Sequence, residues 1–193
     1  MVKSSRPVML RTGRLSVANW ARQVASSASR ASSGGGAVPS DFNIQFTLTG
    51  DGGGAWHAAI REGGMQVTPG VQEANLAVSL GVDDWRDAVL GRNGATLGII
   101  LPANRPGRPD NSGRAKALKG TMALELACAE RDPFKVELCF NGAPAPRTLL
   151  RMAIADYVGM QDGTQNGQML FMQGKIKVEG DMGFLMQIAS LNM

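Results

Sequence analysis

Few residues in this chain are of the types that do covalent chemistry, and their surroundings decide what each can contribute. There is one histidine, His57, and there are two cysteines, Cys128 and Cys139. That set cannot build a His-rich or four-cysteine metal centre, and histidine-dependent catalysis would rest on His57 alone. His57 falls on the polar parity of a predicted strand, and no motif sets a nucleophile beside it, so it reads as a solvated surface histidine. Gly50–Gly54 has the look of a phosphate loop. The dinucleotide fingerprint opens a helix, however, whereas here another strand follows, so the run reads as a hairpin turn. Asp83, Asp84 and Asp87 group three carboxylates, yet capping and the helix dipole account for them without a divalent ion. Arg105, Arg108, Arg114, Lys116 and Lys119 form a basic neighbourhood that could meet anionic headgroups or a CoA phosphate but fits a solvated loop. With no nucleophile–base pair and no ligand constellation, no catalytic residue, metal or cofactor is expected, and the chain reads as a non-enzyme.

The elements that would position any site sit in a chain of 193 residues, 44% of them hydrophobic. That is enough apolar matter for one sizeable core, and it excludes wholesale disorder. No apolar run approaches the roughly 20 residues needed to cross a bilayer. Charge divides the chain in two. Residues 1–40 carry six bases (Lys3, Arg6, Arg11, Arg14, Arg22 and Arg30) and no acid. The remaining fourteen bases face all sixteen acids, a net of −2, so a general nucleic-acid surface on the body is not expected. The sequence therefore divides into a basic Ser/Gly-rich extension, 1–40, and a body, 41–193.

The extension ends in Ser32-Ser33-Gly34-Gly35-Gly36, a linker composition. Within it Val17, Trp20, Ala21, Val24 and Ala28 share one side of a helical wheel. It reads as a solvated tail, as an amphipathic anchor to a partner or an anionic membrane, or as a transit peptide. There is no signal-peptide apolar core. Two unpaired cysteines fit a reducing compartment, so a cytoplasmic location is expected, or an organelle lumen if 1–40 is a transit peptide.

In the body, Phe42, Ile44, Phe46 and Leu48 alternate with polar residues, which is a half-buried strand. After the glycine turn, Trp56, Ala58 and Ile60 share one face of a second strand. Met65–Thr68 and Leu76–Leu80 supply two more, read together as an antiparallel meander with one wet face. Val82–Gly91 reads as a short helix with Asp83 capping it and Gly91 in the left-handed C′ position. Pro102–Gly113 is a loop. Met122–Cys128 and Val136–Phe140 alternate as a hairpin whose parity points the two thiols to opposite faces, so they should not pair. Arg147–Met160 reads as a helix apolar nearly all round. An apolar entry from Met169, a strand around Lys175–Glu179, a Gly180-Asp181 turn and an apolar helix close the chain.

That closing block, with Phe171, Gly174, Lys175, Ile176, Lys177, Gly180, Asp181, Met182, Leu185 and Met186, resembles the sterol carrier protein 2 family. Trp56 opening the second strand and Asp83-Asp84 through Gly91 agree with the same pattern. The likeness runs over about 42–93 and 146–190, with 94–145 as an insertion relative to the family pattern. It implies an α+β fold, a mostly antiparallel sheet covered on one face by helices, with an inserted hairpin and helix. It also implies an internal apolar cavity that takes a sterol, fatty acyl chain or similar lipid without covalent chemistry. The insertion would either add two strands to the sheet or cover the cavity mouth.

Cavity-lining positions expected from strand parity are Phe46, Trp56 and Ile60, and from helix spacing Trp85 and Val89. The family pattern implies Phe171, Met172, Ile176, Met182, Leu185 and Met186. Seven of the eleven methionines lie in the last 42 residues, and such unbranched, polarizable side chains can re-pack around guests of different shape. The function expected is binding and transfer of a lipophilic small molecule. The alternative is an accessory subunit that docks on an enzyme complex through its sheet and residues 1–40, presenting a quinone-like lipid.

Overall fold

The computed structural model describes residues 41–61, 64–100 and 112–191. The 1–40 extension and most of the Pro102–Gly113 loop lie outside the described residues. Eight strands and six helices alternate along the rest. They are β1 (Phe42–Thr49), β2 (Gly54–Arg61), β3 (Gly64–Pro69), β4 (Leu76–Gly81), α1 (Val82–Leu90), α2 (Leu97–Ile100) and α3 (Ser112–Ala117). Then follow β5 (Gly120–Ala127), β6 (Phe134–Phe140), β7 (Arg147–Ala153), α4 (Ile154–Asp162), α5 (Gly167–Met172), β8 (Lys177–Gly180) and α6 (Met182–Ala189).

All eight strands join one sheet in the order β3-β2-β1-β4-β6-β5-β7-β8. Five pairings are antiparallel, while β1 with β4 and β5 with β7 are parallel. The fold is therefore α+β with a mostly antiparallel sheet, as the family resemblance implies. Strand parity sorts the faces: Ile44, Phe46 and Leu48 of β1, Val78 of β4, Leu124 of β5 and Val136 of β6 are all buried on one side. Glu125, Lys135 and Glu137 point the other way, while Trp85, Leu170, Phe184 and Ile188 of the helices join the apolar core.

Two expectations are corrected here. The first four strands are not a simple meander, because β4 crosses past β2 and pairs parallel to β1 on its far side. The segment 147–160 is not one helix. Thr148, Leu150 and Met152 alternate inward on β7, paired parallel to β5, and only Ile154 onward is helical. An apolar run with both periods embedded in it was decided by pairing with β5.

One arrangement occurs twice. β2-β1-β4 and β6-β5-β7 have the same order and the same relative directions. In each, the last strand runs straight into a nine-residue helix, α1 or α4, closed by a left-handed glycine, Gly91 or Gly163. A residue at φ near +64° or +75° without Cβ strain is what glycine supplies there. The hairpin β5–β6 is therefore neither a cover nor a peripheral addition. It forms the centre of the sheet, between β4 and β7.

The capping expectation for α1 is also corrected. Its N-cap is Gly81, with no side-chain cap. Asp83 sits inside the first turn and pairs with Arg86, Oδ1 to Nη1 2.9 Å. Asp84 turns inward and accepts the Lys135 amide at 3.1 Å. Asp84 and Asp87 both bind the Arg131 guanidinium from the β5–β6 turn. Burial alone would lower the Arg131 pKa, but its hydrogen bonds and charge contacts with the two aspartates outweigh this and hold it above its ordinary value.

Candidate functional site

The eleven predicted lining residues fall into two groups that the sheet keeps apart. Phe46 and Trp85 are fully buried in the core. Trp56, which pairs directly with Phe46, Ile60 on β2 and Val89 on α1 are half-buried against the same core. The other six belong to the far edge: Ile176 and Leu185 are half-buried, while Phe171, Met172, Met182 and Met186 are exposed. Five strand spacings separate β1 from β8, about 24 Å at roughly 4.8 Å each, so one small molecule does not meet both groups.

The second group is held by an ordered framework. α4 and α6 both pack on β7, and β8 lies beside β7 with Val178 opposite Leu150. Asp181 caps α6 by accepting the Phe184 amide at 2.7 Å, as its place after the Gly180 turn suggests. The Thr148 hydroxyl donates to the Asp181 carbonyl at 2.6 Å and fixes the start of α6 against β7. Phe184, 1% exposed, anchors the helix edge-on to Phe140, with ring centres 6.3 Å apart. Gly120 lies under that ring, at φ +140°, where a Cβ would come within 2.6 Å of it. Asn166 caps α5 by accepting the Met169 amide at 3.1 Å, and Leu170 is its buried anchor.

Around this framework lie half-buried apolar side chains that sequence reading did not single out: Tyr157, Val158 and Met160 on α4, and Val178 on β8. Burial pushes the Tyr157 phenol up to about 12, with a hydrogen bond from Gln161 acting the other way, so it stays neutral at ordinary pH. In the sequence these positions are hidden, because the 147–160 run has the apolar pattern of a single helix. With the helix starting at Ile154, Tyr157, Val158 and Met160 are half-buried against the core, and α4 packs on β5 and β7. Beside them stand large apolar groups in solvent: Met172 is 76% exposed, Met186 63%, Met169 56% and Phe171 50%.

The opposite face of the sheet holds a groove of about 310 Å³, lined by Thr49, Ser79, Ala123, Glu125, Lys135, Glu137, Arg147 and Leu149 among others. None of the eleven predicted residues lies in it. Its charges neutralise one another: Arg151 Nε meets Glu125 at 2.8 Å, Lys135 Nζ meets Glu125 at 3.5 Å, and Arg147 meets Glu137 at 2.7 Å. The hydrogen bond from Arg151 holds the Glu125 carboxyl below its ordinary value. A groove lined with paired charges has little affinity for an apolar guest.

His57 is not the solvated residue its parity suggests. It is 6% exposed, with Nε2 lacking a hydrogen-bond partner. In register it stands between Gln45 of β1 and Thr68 of β3. Gln72 of the β3–β4 crossover gives its amide to Gln45 at 2.9 Å and its side chain to Thr68 at 3.5 Å, so the crossover lies over His57. A six-residue connection that must pass two strands covers whatever lies beneath it, and strand parity carries no sign of that. The thiols of Cys128 and Cys139 are free. Among the described residues, no three His, Cys, Asp or Glu side chains converge as a metal site, and no helix is long and apolar enough to cross a membrane.

Comparison with known proteins bears on the second group. No curated protein matches the chain. Solved structures similar to it include two sterol carrier proteins. One is sterol carrier protein domain 2 of Helicoverpa armigera, in solution, at 22% identity over 43% of this chain and 73% of that one, TM-score 0.36. The other is apo sterol carrier protein 2 of Yarrowia lipolytica, at 15% identity over 92% of this chain and 80% of that one, TM-score 0.20. The family model that matches runs from residue 103 to 192, so it takes in β5 to α6, the central hairpin included. Over that span, the second occurrence of the repeated arrangement and its closing helices, the chain matches the model of the SCP-2 sterol transfer family.

Proposed function

We propose that this chain binds and transfers a hydrophobic small molecule, a sterol, fatty acyl chain or similar lipid, without covalent chemistry. The seat lies on the helix side of β7 and β8, between α4 and α6, against Tyr157, Met160, Ile176, Val178 and Leu185, with Met182 and Met186 at its rim. The observation that carries the reading is the state of the family-matched segment. Within it Tyr157, Met160, Ile176, Val178 and Leu185 are half-buried at the border of the core, and Phe171, Met172, Met182 and Met186 stand in solvent. A monomer with nothing to bind gains by covering such groups.

Magnitudes permit it. Burying a chain of about 16 carbons at roughly 0.8 kcal/mol per CH₂ gives about 12 kcal/mol gross. After several kcal/mol of association and ordering cost, micromolar to nanomolar binding remains. No polar anchor is required for that affinity. The first half, where Phe46, Trp85, Ile99 and Ile100 are closed into the core, serves to complete the sheet on which the seat rests.

The test is solvent extraction of gently purified protein followed by mass spectrometry. One lipid per chain supports carriage. A protein that is empty and co-purifies with a single larger enzyme overturns it in favour of the accessory-subunit reading.

A further inference from the structure

α6 turns an apolar face to solvent, and we infer that the chain's own residues 17–28 dock on that face as an amphipathic helix. α6 reads Met-Gly-Phe-Leu-Met-Gln-Ile-Ala and holds no charged residue. A helix apolar nearly all round is normally enclosed. Phe184 and Ile188 do face the core, but Met182 and Met186, one turn apart on the other side, are 46% and 63% exposed. Leu185 and Ala189 flank them, half-buried. The outer face is thus a short apolar stripe without a cover among the described residues.

Position, length and pattern select the occupant. The extension joins the body beside α6. Asp41, where the described chain begins, pairs with Lys116 of α3 at 4.0 Å, and Arg114 of the same helix donates to the Ser190 carbonyl just past α6 at 3.2 Å. One short helix therefore separates the entry of the extension from the C-terminal end of α6. The twelve Ser/Gly-rich residues 29–40 span about 19 Å as a flexible chain, enough to run along α6, which is about 12 Å long. Beyond that linker, Val17, Trp20, Ala21, Val24 and Ala28 make one apolar side, with Arg22 on the far side of the wheel. Twelve residues are too few for a stable helix in water, so this side needs a partner to pack on. Tethering favours the extension over a second copy, because a linker of this length presents it at an effective concentration on the order of millimolar. Docked there, the segment covers Met182 and Met186 and shields the rim of the lipid seat, whether the seat is filled or empty.

NMR of the methionine methyls and tryptophan rings in the full chain tests the docking, at a concentration where light scattering shows a monomer. Nuclear Overhauser contacts are expected from the Trp20 ring to the Met182 and Met186 methyls. Trp20→Ser/Val24→Ser should shift those two methyl signals and leave Met122 and Met152, buried in the core, in place. Met186→Asp should release the segment, seen as about tenfold faster amide exchange over 17–28. Absent contacts, with a Trp20→Ser/Val24→Ser spectrum that overlays wild type, would overturn the inference. So would Met182 and Met186 shifts that follow protein concentration, which would assign the face to a second copy, or shifts that appear only with added phospholipid vesicles, which would assign it to a bilayer. Lipid extraction of the same variants reads carriage separately, so docking and carriage can each fail alone.

Discussion

Asp84 of α1 and Arg131 of the β5–β6 turn form an ion pair that ties the helix of the first half to the hairpin of the second. Asp84 is 8% exposed and also accepts the Lys135 amide, so its charge has little water to fall back on. Arg131→Ala should therefore cost about 2 to 3 kcal/mol in urea unfolding, mostly as the penalty of a stranded carboxylate. Asp84→Asn combined with Arg131→Ala should be less unstable than Arg131→Ala alone, because one of the two carboxylates that Arg131 pairs with is no longer charged while the acceptor for Lys135 remains. With Asp84→Asn measured alone to complete the cycle, a double-variant loss equal to the sum of the two single losses would show that the pair carries no coupling.

Gly120 and Phe184 set the position of α6. Gly120→Ala is expected to cost at least about 2 kcal/mol, since the new methyl meets a buried ring and the backbone sits at φ +140°. Phe184→Ala should cost about 3 to 5 kcal/mol through the cavity it leaves. Urea midpoints at unchanged slope would check both.

Glu125 gives the acid limb of stability a definite sign. Its carboxyl is held below its ordinary value near 4.5 by Arg151 and Lys135. The resulting stability is fully present above that value and is lost as pH falls through the lower folded-state value. Glu125→Gln should flatten stability against pH in that acid window and lower it slightly near neutrality, where the pairing is fully formed. Since the group is on the solvated face, the effect is small and shrinks with added salt. Parallel thermal scans across the acid range, at low and high salt, measure it.

The seat makes its own demand. Leu185→Ala removes apolar contact from a half-buried position, and should weaken binding of a fluorescent fatty acid about tenfold. Thr47→Ala, on the opposite and solvated face of the sheet, should leave it unchanged.

Much of this architecture was legible from local pattern. Strand parity placed Phe46, Trp56, Leu124 and Val136 on the covered face, and Gly91 marked the end of α1. The closing block from Phe171 to Met186 carried the family likeness that the 103–192 match bears out. What escaped was non-local. Only pairing with β5 tells that Thr148–Met152 is a strand, only the crossover buries His57, and only the position of Arg131 turns Asp84 inward. The exposure of Phe171, Met172, Met182 and Met186 escaped for the same reason: an apolar residue in a family motif does not say which side of its helix meets the sheet.

Methionine methyl NMR reads the seat without presupposing the ligand. Met160, Met182 and Met186 border the proposed site, whereas Met122 and Met152 are buried in the core. Titration with a fatty acid of about 16 carbons should shift the first three resonances, saturating at one equivalent, and leave the core pair in place. A titration in which no methyl moves, or in which all move together without saturating, would contradict lipid carriage at this site.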